Sequence, residues 1–248
     1  MKSKAEKTLL IWDFDDTIVK TNIEFKKTKK NSAAIISNAI YGTEKKLEHL
    51  LDYQRRVDLR LVSTHGFLPQ QYVDSWLKTY DYFAAKEKIP TLTTVKNKIL
   101  DTAQNVYVRK YKEVPYAVST LTKLKREGYP MILLTAGVES IQRRKIKEAG
   151  IEHLIDNIYV RINKTPETLR ELLASYSANE YVMIGNSLKS DIYPALENNI
   201  WGIHIERQTW DADEHPIDKN HPKYIRINSI AEVPKKLKMI EKKLSLFV

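Results

Sequence analysis

Short apolar runs alternate with helical patterns in the second half of the chain. The runs lie at residues 131–134, 157–162, 181–184 and 201–205, and a further run, Leu9 to Trp12, lies near the N-terminus. Mostly uncharged runs of this length are typical of strands buried on both faces. The segments between them, such as Val138 to Gly150, have the length and spacing of helices. The alternation predicts an α/β fold with a parallel sheet covered by helices.

Residues 22 to 113 carry a different pattern, with almost no strand signal. Apolar residues recur there at the steps expected for helices. They include Leu47, Leu50, Leu51, Val57 and Leu61, and then Trp76, Leu77, Tyr80 and Phe83. Breaks near residues 41–43, 65–69 and 89–91 divide the region into four predicted helices. We therefore predict an all-helical domain at 19–115, inserted into a core domain made of 1–18 and 116–248.

The C-terminal part combines a polar loop with a final helix. The loop, residues 207–222, contains Trp210, His215 and His221, and its histidine spacing matches no metal-ligand pattern, so a surface loop is expected. After it, apolar residues recur every three or four positions with lysines between them. They are Ile230, Val233, Leu237, Ile240, Leu244 and Phe247. This stripe predicts a helix that packs on the core.

The composition is that of an ordinary globular chain. Hydrophobic residues make up 42% and charged residues 29% of the 248 positions, enough for one large domain or two small ones. The absence of cysteine excludes disulfides and thiolate chemistry and is consistent with the cytoplasm. The N-terminus begins like a signal peptide, but Asp13 interrupts its apolar run, and no other segment has a membrane-spanning length. We expect a cytoplasmic protein with no membrane partner.

The net charge of +10 is concentrated in one region. Residues 19–115 hold 18 Lys and Arg against 10 Asp and Glu, while the rest of the chain holds 23 against 21. A basic region attracts anions such as phosphorylated metabolites, nucleotides or nucleic acids. The alternative is a set of solvated helix faces, which we favour for single runs such as Lys26 to Lys30.

Three acids follow the first apolar run within four residues: Asp13, Asp15 and Asp16. If extended geometry continues beyond Trp12, Asp13 and Asp15 point to one side and Asp16 to the other. Two carboxylates so close need a cation, and Mg²⁺ is the simplest one. One carboxylate could then attack phosphorus while the other protonates the leaving oxygen and later takes a proton from water. A polar turn capped by Asp16 or Thr17 is the alternative, and these residues alone do not decide between the two.

Polar groups also follow the second and third predicted strands. The Thr135 hydroxyl and the backbone N–H groups of Ala136 and Gly137 lie where a helix begins, which suits a phosphate. Lys164 follows the next strand and precedes a helix that starts with proline. Taken alone, each is an ordinary turn or one basic residue among many. Together they are expected at one edge of the sheet, because parallel strands end at the same edge.

The turn after the fourth strand offers oxygen ligands for a metal. Asn186 lies in that turn and Asp191 follows it in the same segment, Gly185 to Asp191. Carboxylate and amide oxygens suit Mg²⁺. A plain helix cap would explain the same residues.

These strand-end motifs resemble those of the haloacid dehalogenase (HAD) superfamily, and the resemblance covers nearly the whole chain. The first motif, DxDxT, is Asp13-Phe14-Asp15-Asp16-Thr17, and the second is Thr135 at the end of an apolar strand. Lys164 in NKTPETL is the third, and the fourth is GNSLKSD, residues 185–191. The resemblance implies a Rossmann-like core and a helical cap that closes over the substrate.

The same resemblance implies a role for each motif residue. Asp13 would be the nucleophile that forms an aspartyl-phosphate, and Asp15 the general acid and base. Thr135 and Lys164 would bind the phosphoryl group. Mg²⁺ would be held by Asp13, the backbone carbonyl of Asp15 and Asp191.

Two features place the chain within that superfamily. Its dehalogenases lack the second aspartate of the first motif, so the presence of Asp15 favours phosphate chemistry. Many members carry Asp where this chain has Asn186, and an amide is a weaker, neutral metal ligand. Asp191 is therefore expected to be the main ligand of the fourth motif, with Asn186 as an additional one.

The sequence thus predicts a Mg²⁺-dependent phosphatase that hydrolyses a small phosphorylated metabolite through an aspartyl-phosphate. A phosphomutase, which would return the phosphoryl group to an organic hydroxyl, is the nearest alternative. A non-catalytic binder of nucleic acid or of a phosphorylated ligand is the alternative from another class. Nucleic acid is the less expected partner, because every catalytic position other than Asn186 matches the superfamily pattern.

Overall fold

The computed structural model describes residues 8–207 and 214–244. The chain forms two units, one made of Met1–Lys20 with Tyr111–Val248 and the other of Thr21–Lys110. Within the described ranges, no helix is both long and apolar enough to cross a membrane. Three features predicted from sequence lie outside the described residues: the start of the signal-like stretch at 1–7, Trp210, and Phe247 with the side chain of Leu244.

The first unit is built on a parallel sheet, as predicted. In the described residues its strands are β1 Leu9–Trp12, β2 Met131–Ala136, β3 Asn157–Arg161, β4 Tyr181–Gly185, β5 Trp201–Ile205 and β6 Tyr224–Ile227. Their order is β3-β2-β1-β4-β5-β6, and every pairing is parallel. Trp12 at the end of β1 is aligned with Leu133 in β2 and Ile184 in β4. The carboxyl end of β1 therefore lies at the centre of the sheet edge.

Helices cover both faces of this sheet. They are α5 Ala117–Arg126, α6 Glu139–Ala149, α7 Pro166–Leu173, α8 Tyr193–Glu197 and α9 Val233–Leu244; the labels α1 to α4 belong to the other unit. Successive strand residues point to opposite faces, so Leu10 and Trp12 enter one apolar cluster while Leu9 and Ile11 enter another. All four are buried, which explains why β1 is apolar throughout.

Several element boundaries differ from the predicted ones. The first helix after the predicted domain boundary at residue 115 begins at Ala117, because Tyr116 has a left-handed backbone with φ 68°. The helix expected directly after β4 begins as a π-helical turn, Leu188–Ile192, before α8. β6 was not predicted, since its four residues, YIRI, have only two apolar side chains that are buried.

The second unit consists of the four helices that the spacing predicts: α1 Asn22–Tyr41, α2 Leu47–His65, α3 Pro69–Lys86 and α4 Thr93–Asn105. It has an apolar core of its own. Ile36, Leu50, Trp76 and Ile99, one from each helix, are all fully buried in it.

The two units divide after Lys20 and Lys110, whereas the sequence places the boundaries after residues 18 and 115. Two backbone hydrogen bonds account for the difference. The Lys20 N–H donates to the Lys112 carbonyl at 2.8 Å, and the Val114 N–H donates to the Ile18 carbonyl at 2.8 Å. These bonds tie the two connecting segments to each other within the first unit.

Candidate active site

Asp13 lies directly beyond β1, and the chain turns immediately after it. The Asp13 N–H donates to the Ile184 carbonyl at 2.9 Å, which continues the pairing with β4 by one residue. Asp16 then adopts a left-handed backbone with φ 59°, and its N–H donates to the Val19 carbonyl at 2.7 Å. The extended geometry that the sequence analysis took as a condition therefore ends at Asp16. A tight turn, and not strand alternation, determines where Asp16 points.

A buried lysine joins two buried carboxylates at this edge of the sheet. The Lys164 ammonium donates to Asp13 Oδ1 at 2.7 Å and also to Asp191 Oδ1. The side chains of Lys164, Asp13 and Asp191 are 3%, 8% and 0% exposed. Lys164 lies between β3 and α7, and Asp191 lies in the π-helical turn after β4. Three motifs that are far apart in sequence thus meet in one ion-paired cluster.

The protonation of this cluster follows from burial and mutual charge. Burial raises the pKa of Asp13 above its ordinary value, the neighbouring Asp191 raises it further, and Lys164 opposes both effects. Burial alone would lower the pKa of Lys164, but the carboxylates of Asp13 and Asp191 outweigh it and raise that pKa. Lys164 is therefore a permanent cation in the site. With both carboxylates ionised the cluster keeps one negative charge, which a further cation would offset.

Gly185 makes room for the Asp191 carboxylate. A Cβ atom on Gly185 would lie 2.1 Å from Asp191 Oδ2 and 2.3 Å from Asp191 Cγ, far inside any permitted contact. The same carboxylate accepts a hydrogen bond from the Ser187 backbone N–H at 2.9 Å. Only glycine at the end of β4 allows Asp191 to lie this close to the strand.

The Asn186 amide adjoins the oxygen atoms that could hold a metal. When the Asn186 side-chain nitrogen faces these oxygens, it lies 2.9 Å from the Asp15 carbonyl, 3.0 Å from Thr17 Oγ1 and 3.3 Å from Asp13 Oδ2, and it can donate hydrogen bonds to them. With its oxygen facing them, it accepts from the Thr17 hydroxyl at 3.0 Å but meets two further acceptors. The first orientation points a donor toward these acceptors and needs no cation, so we assign it here. A cation between these oxygens would require the second orientation, in which the amide oxygen of Asn186 faces it.

The donor atoms at this position fit Mg²⁺. They are the carboxylates of Asp13 and Asp191, the Asp15 carbonyl and the Asn186 amide, and all can present oxygen, the ligand type that Mg²⁺ prefers. In the part of the chain that the structure describes, no cluster of three or more His, Cys, Asp or Glu side chains could hold a metal. A metal here would therefore depend on the carbonyl and the amide as well as on two carboxylates.

The residues predicted to cradle a phosphate lie at the end of β2, but they are only partly available. Thr135 is buried, and its hydroxyl accepts a hydrogen bond from the Gln142 side chain. Ala136 is the last residue of β2 and pairs with Arg161. The Gly137 N–H donates to the Arg161 carbonyl at 2.8 Å, so the prediction that it is free for a phosphate was wrong. This N–H serves to extend the pairing of β2 with β3.

Two residues on α6 that the sequence prediction missed contact Asp15. Gln142 Nε2 donates to Asp15 Oδ2 at 2.8 Å, and the Lys145 ammonium pairs with Asp15 Oδ1. Both are buried, although α6 otherwise consists mostly of exposed charged residues. A sequence signal was present. The helix ESIQRRKIKEA has too few apolar residues to cover the sheet, so some polar side chains must be buried.

His204 on β5 was also missed. Its Nε2 lies 3.2 Å from the Asn186 carbonyl, which can only accept, so Nε2 carries the proton. Its Nδ1 lies 3.0 Å from the Tyr224 hydroxyl on β6, and burial lowers the pKa of His204. A neutral histidine thus anchors the backbone of the turn after β4. No sequence pattern indicated it, because β6 itself was not predicted.

Comparison with known proteins places these features in a family. The sequence model of the family described as haloacid dehalogenase-like hydrolase matches residues 7–197. A glyceraldehyde 3-phosphate phosphatase of Pyrococcus furiosus is 24% identical, with 94% of this chain and 93% of that protein covered. A second glyceraldehyde 3-phosphate phosphatase, from Methanothermobacter thermautotrophicus, is 25% identical over 53% of this chain. The match covers 62% of that protein, which is less than two thirds of its length. A phosphoserine phosphatase of Thermus thermophilus is 26% identical over 50% of this chain and 51% of its own length.

Solved structures share the fold over nearly the whole chain. A haloacid dehalogenase-like family hydrolase from Xanthomonas campestris has a TM-score of 0.78 at 20% identity, with 96% of this chain and 98% of that chain covered. A HAD-hydrolase from Bacillus subtilis, described as bound to magnesium, has a TM-score of 0.62 at 15% identity, with 94% and 99% covered. At these identities the likeness establishes the fold alone.

Proposed function

Because the chain belongs to the haloacid dehalogenase-like hydrolase family, we propose that it is a Mg²⁺-dependent phosphatase acting through an aspartyl-phosphate on Asp13. The observation that carries the proposal is the buried cluster of Asp13, Lys164 and Asp191, held at the carboxyl ends of three strands. The phosphatases among its relatives support the same reaction class. The proposed substrate is a small phosphate monoester, the kind of compound for which those relatives are named.

Asp13 is the proposed nucleophile. An oxygen of its carboxylate attacks phosphorus, the bond from phosphorus to the ester oxygen breaks, and an aspartyl-phosphate forms. Two like charges about 4 Å apart repel by roughly 4 kcal/mol at an effective dielectric of ~20. The Lys164 ammonium, 2.7 Å from Asp13 Oδ1, lowers that repulsion and fixes the orientation of the carboxylate. Thr135, in β2, offers a hydroxyl for a phosphoryl oxygen.

Asp15 is the proposed general acid and base. It gives a proton to the departing ester oxygen in the first step. In the second step it takes a proton from a water molecule that attacks the phosphorus of the aspartyl-phosphate, which releases inorganic phosphate and restores Asp13. Positioned proton transfer of this kind is typically worth about 10²–10⁴-fold in rate.

The proposed Mg²⁺ site uses Asp13, Asp191, the Asp15 carbonyl and the Asn186 amide oxygen. When bound, the ion would neutralise charge on the phosphoryl oxygens and offset the negative charge that Lys164 leaves uncompensated. Asp191 carries the remaining formal charge of this ligand set, because Asn186 is neutral. We therefore expect removal of Asp191 to weaken Mg²⁺ binding more than removal of Asn186.

The first test compares wild type with Asp13→Asn. Phosphate release is measured from p-nitrophenyl phosphate, glyceraldehyde 3-phosphate and phosphoserine, with MgCl₂ and with EDTA. We expect metal-dependent release by wild type and none by Asp13→Asn. Asp16→Asn is the matched control, since it changes a neighbouring acid and asparagine tolerates the left-handed backbone there. Activity of Asp13→Asn within tenfold of wild type would reject Asp13 as the nucleophile.

Further outcomes separate the alternatives. An isomerised phosphate ester without free phosphate would identify a phosphomutase. No turnover together with salt-sensitive binding of nucleic acid would identify a binder. For the metal, we expect Mg²⁺ to raise the thermal unfolding midpoint of wild type but not of Asp191→Asn. An equal rise in both would place the ion elsewhere.

A further inference from the structure

We propose that Gln142 and Lys145 are positioning residues for Asp15. The proposal rests on the proposed role of Asp15 as general acid and base. Nothing in the four motifs assigns a role to either residue, and both lie outside them, on α6. Together they form what we term the α6 clamp, defined as the Gln142 amide and the Lys145 ammonium.

The α6 clamp contacts both oxygens of the Asp15 carboxylate. Gln142 Nε2 donates to Oδ2 at 2.8 Å and Lys145 Nζ donates to Oδ1. The two clamp residues are also joined to each other, because Lys145 Nζ donates to Gln142 Oε1 at 2.9 Å. The three side chains form a closed triangle of hydrogen bonds. Rotation of the carboxylate breaks at least one of them.

Burial of Lys145 indicates that it does more than pack the helix. The residue is 7% exposed, and its ammonium lies 5.6 Å from the ring centre of Phe14 and 5.0 Å from that of Tyr111. Taking an ammonium group out of water is costly unless a carboxylate compensates it. A leucine or methionine would fill the same space without that cost. The buried charge is explained if its purpose is to hold Asp15.

Gln142 connects the general acid to the proposed phosphate site. Its Nε2 donates to Thr135 Oγ1 as well as to Asp15 Oδ2, so one amide nitrogen fixes the separation of the two groups. Gly137 provides the space for this side chain. A Cβ there would lie 3.3 Å from Gln142 Cγ, and the backbone has φ 134°, which disfavours any other residue. The clamp thus orients the proton donor relative to the atoms that hold the phosphate.

The expected effect of losing the clamp is selective. A misplaced general acid slows substrates whose leaving oxygen needs a proton and hardly affects p-nitrophenyl phosphate, whose leaving group is stable as an anion. We expect Lys145→Met to lower kcat/KM for glyceraldehyde 3-phosphate by about 10²-fold, the usual cost of a small misplacement of a reacting group. The loss for p-nitrophenyl phosphate should be at most a few-fold. Gln142→Leu should show the same selectivity.

A double-mutant cycle separates positioning from general structural damage. If Lys145 acts through Asp15, then Lys145→Met should change the residual kcat/KM of Asp15→Asn for glyceraldehyde 3-phosphate less than twofold. Lys145→Arg keeps the charge and should recover part of the loss. Lys147→Met, on the exposed face of the same helix, is the control and should behave as wild type. Equal losses on both substrates, or the same loss with and without the Asp15 carboxylate, would overturn the proposal.

A structural readout keeps this inference distinct from the proposed function. In a crystal structure of Lys145→Met we expect the Asp15 carboxylate to leave its position near Gln142 Nε2. If it stays within hydrogen-bond distance of Gln142, the clamp is not needed, whatever the activity. Failure of the phosphatase proposal would appear separately, as absent phosphate release by wild type or as full activity in Asp13→Asn.

Discussion

The two units bury polar side chains in different ways. In the α/β unit the buried aspartate and lysine side chains are paired, as with Lys164 between Asp13 and Asp191. Three buried nitrogen atoms of that unit, in Trp12, Trp201 and Arg207, have no hydrogen-bond partner among the described residues. In the helical unit several buried oxygen atoms have no hydrogen-bond partner among the described residues. They include oxygen atoms of Thr28 and Ser32 on α1, of Gln54 and Asp58 on α2 and of Tyr72 on α3. The first arrangement compensates the cost of burial, whereas the second leaves it uncompensated.

Asp58 demonstrates the consequence for a carboxyl group. Burial raises its pKa to about 6, and the charge of Lys29 and a hydrogen bond from Gln54 oppose this only in part. In the α/β unit a full ammonium contacts Asp13 at 2.7 Å, whereas the hydrogen bond to Asp58 comes from the neutral amide of Gln54. Burial of polar groups therefore supports a charged site only where opposite charges are buried together.

The largest expected effect comes from removing the shared cation. Lys164→Met leaves two buried carboxylates without their partner, and breaking a buried pair in this way typically costs about 3–5 kcal/mol of stability. Loss of the charge should also lower kcat/KM by roughly 10²–10³-fold, as for other groups that stabilise charge in a transition state. Denaturant unfolding in EDTA and steady-state kinetics check the two effects.

The control for that variant is Lys189→Met. Lys189 is exposed in the same π-helical turn that carries Asp191, so its removal should change stability by no more than about 0.5 kcal/mol. If the Lys164→Met protein were as stable as this control, the proposed difference between the two units would be contradicted. It would mean that the two carboxylates do not need the buried ammonium.

An intermediate effect is expected at Asp58, with a defined pH dependence. Its pKa is about 6 in the folded chain against a reference of 3.8, so between these values the folded state holds the extra proton. Wild-type stability therefore falls as pH rises from about 4 to 6 and stays lower above that, by roughly 3 kcal/mol for a shift of this size. Asp58→Asn, which cannot ionise, should equal wild type near pH 4 and exceed its stability at pH 8.

Denaturant unfolding of wild type and Asp58→Asn at pH 4, 6 and 8 tests the direction of this pH dependence of stability. Exposed Asp52→Asn on the same helix serves as the control and should show no such divergence. A constant difference between Asp58→Asn and wild type at all three pH values would show that the carboxyl group is not penalised by burial. In that case both units would bury their polar groups equally well.

The smallest effects are expected from a threonine-to-valine substitution made once in each unit. Thr17 in the α/β unit is hydrogen-bonded to the Asn186 amide at 3.0 Å, whereas Thr28 Oγ1 in the helical unit is buried with no partner in the part of the chain that the structure describes. Valine has nearly the same shape as threonine. Thr17→Val should cost about 1 kcal/mol, and Thr28→Val should be neutral or stabilising by a similar amount, because only the first removes a made hydrogen bond. Thermal unfolding of both variants provides the comparison, and equal destabilisation would contradict it.

Periodicity alone was sufficient to predict the parallel sheet and the four inserted helices. It failed at β6, whose four residues are too short and too polar to stand out from the preceding loop. It also failed for the turn after Asp13, because a left-handed Asp16 leaves no mark on the pattern of apolar residues. β6 is formed by backbone pairing with β5, and the turn by the Asp16 N–H donating to the Val19 carbonyl. Neither backbone contact requires a pattern of apolar residues.

Within the candidate site the sequence determined which strand ends carry Asp13, Thr135, Lys164 and Asp191. Parallel strands end at one edge, so order along the chain was enough to expect them together. Only the tertiary structure decided how they are connected. It placed Lys164 between two carboxylates, used the Gly137 N–H for strand pairing, and brought the α6 clamp to Asp15. The contacts of Lys164 with Asp13 and of the α6 clamp with Asp15 join side chains more than a hundred residues apart, and they depend on packing distances that local residue patterns do not encode.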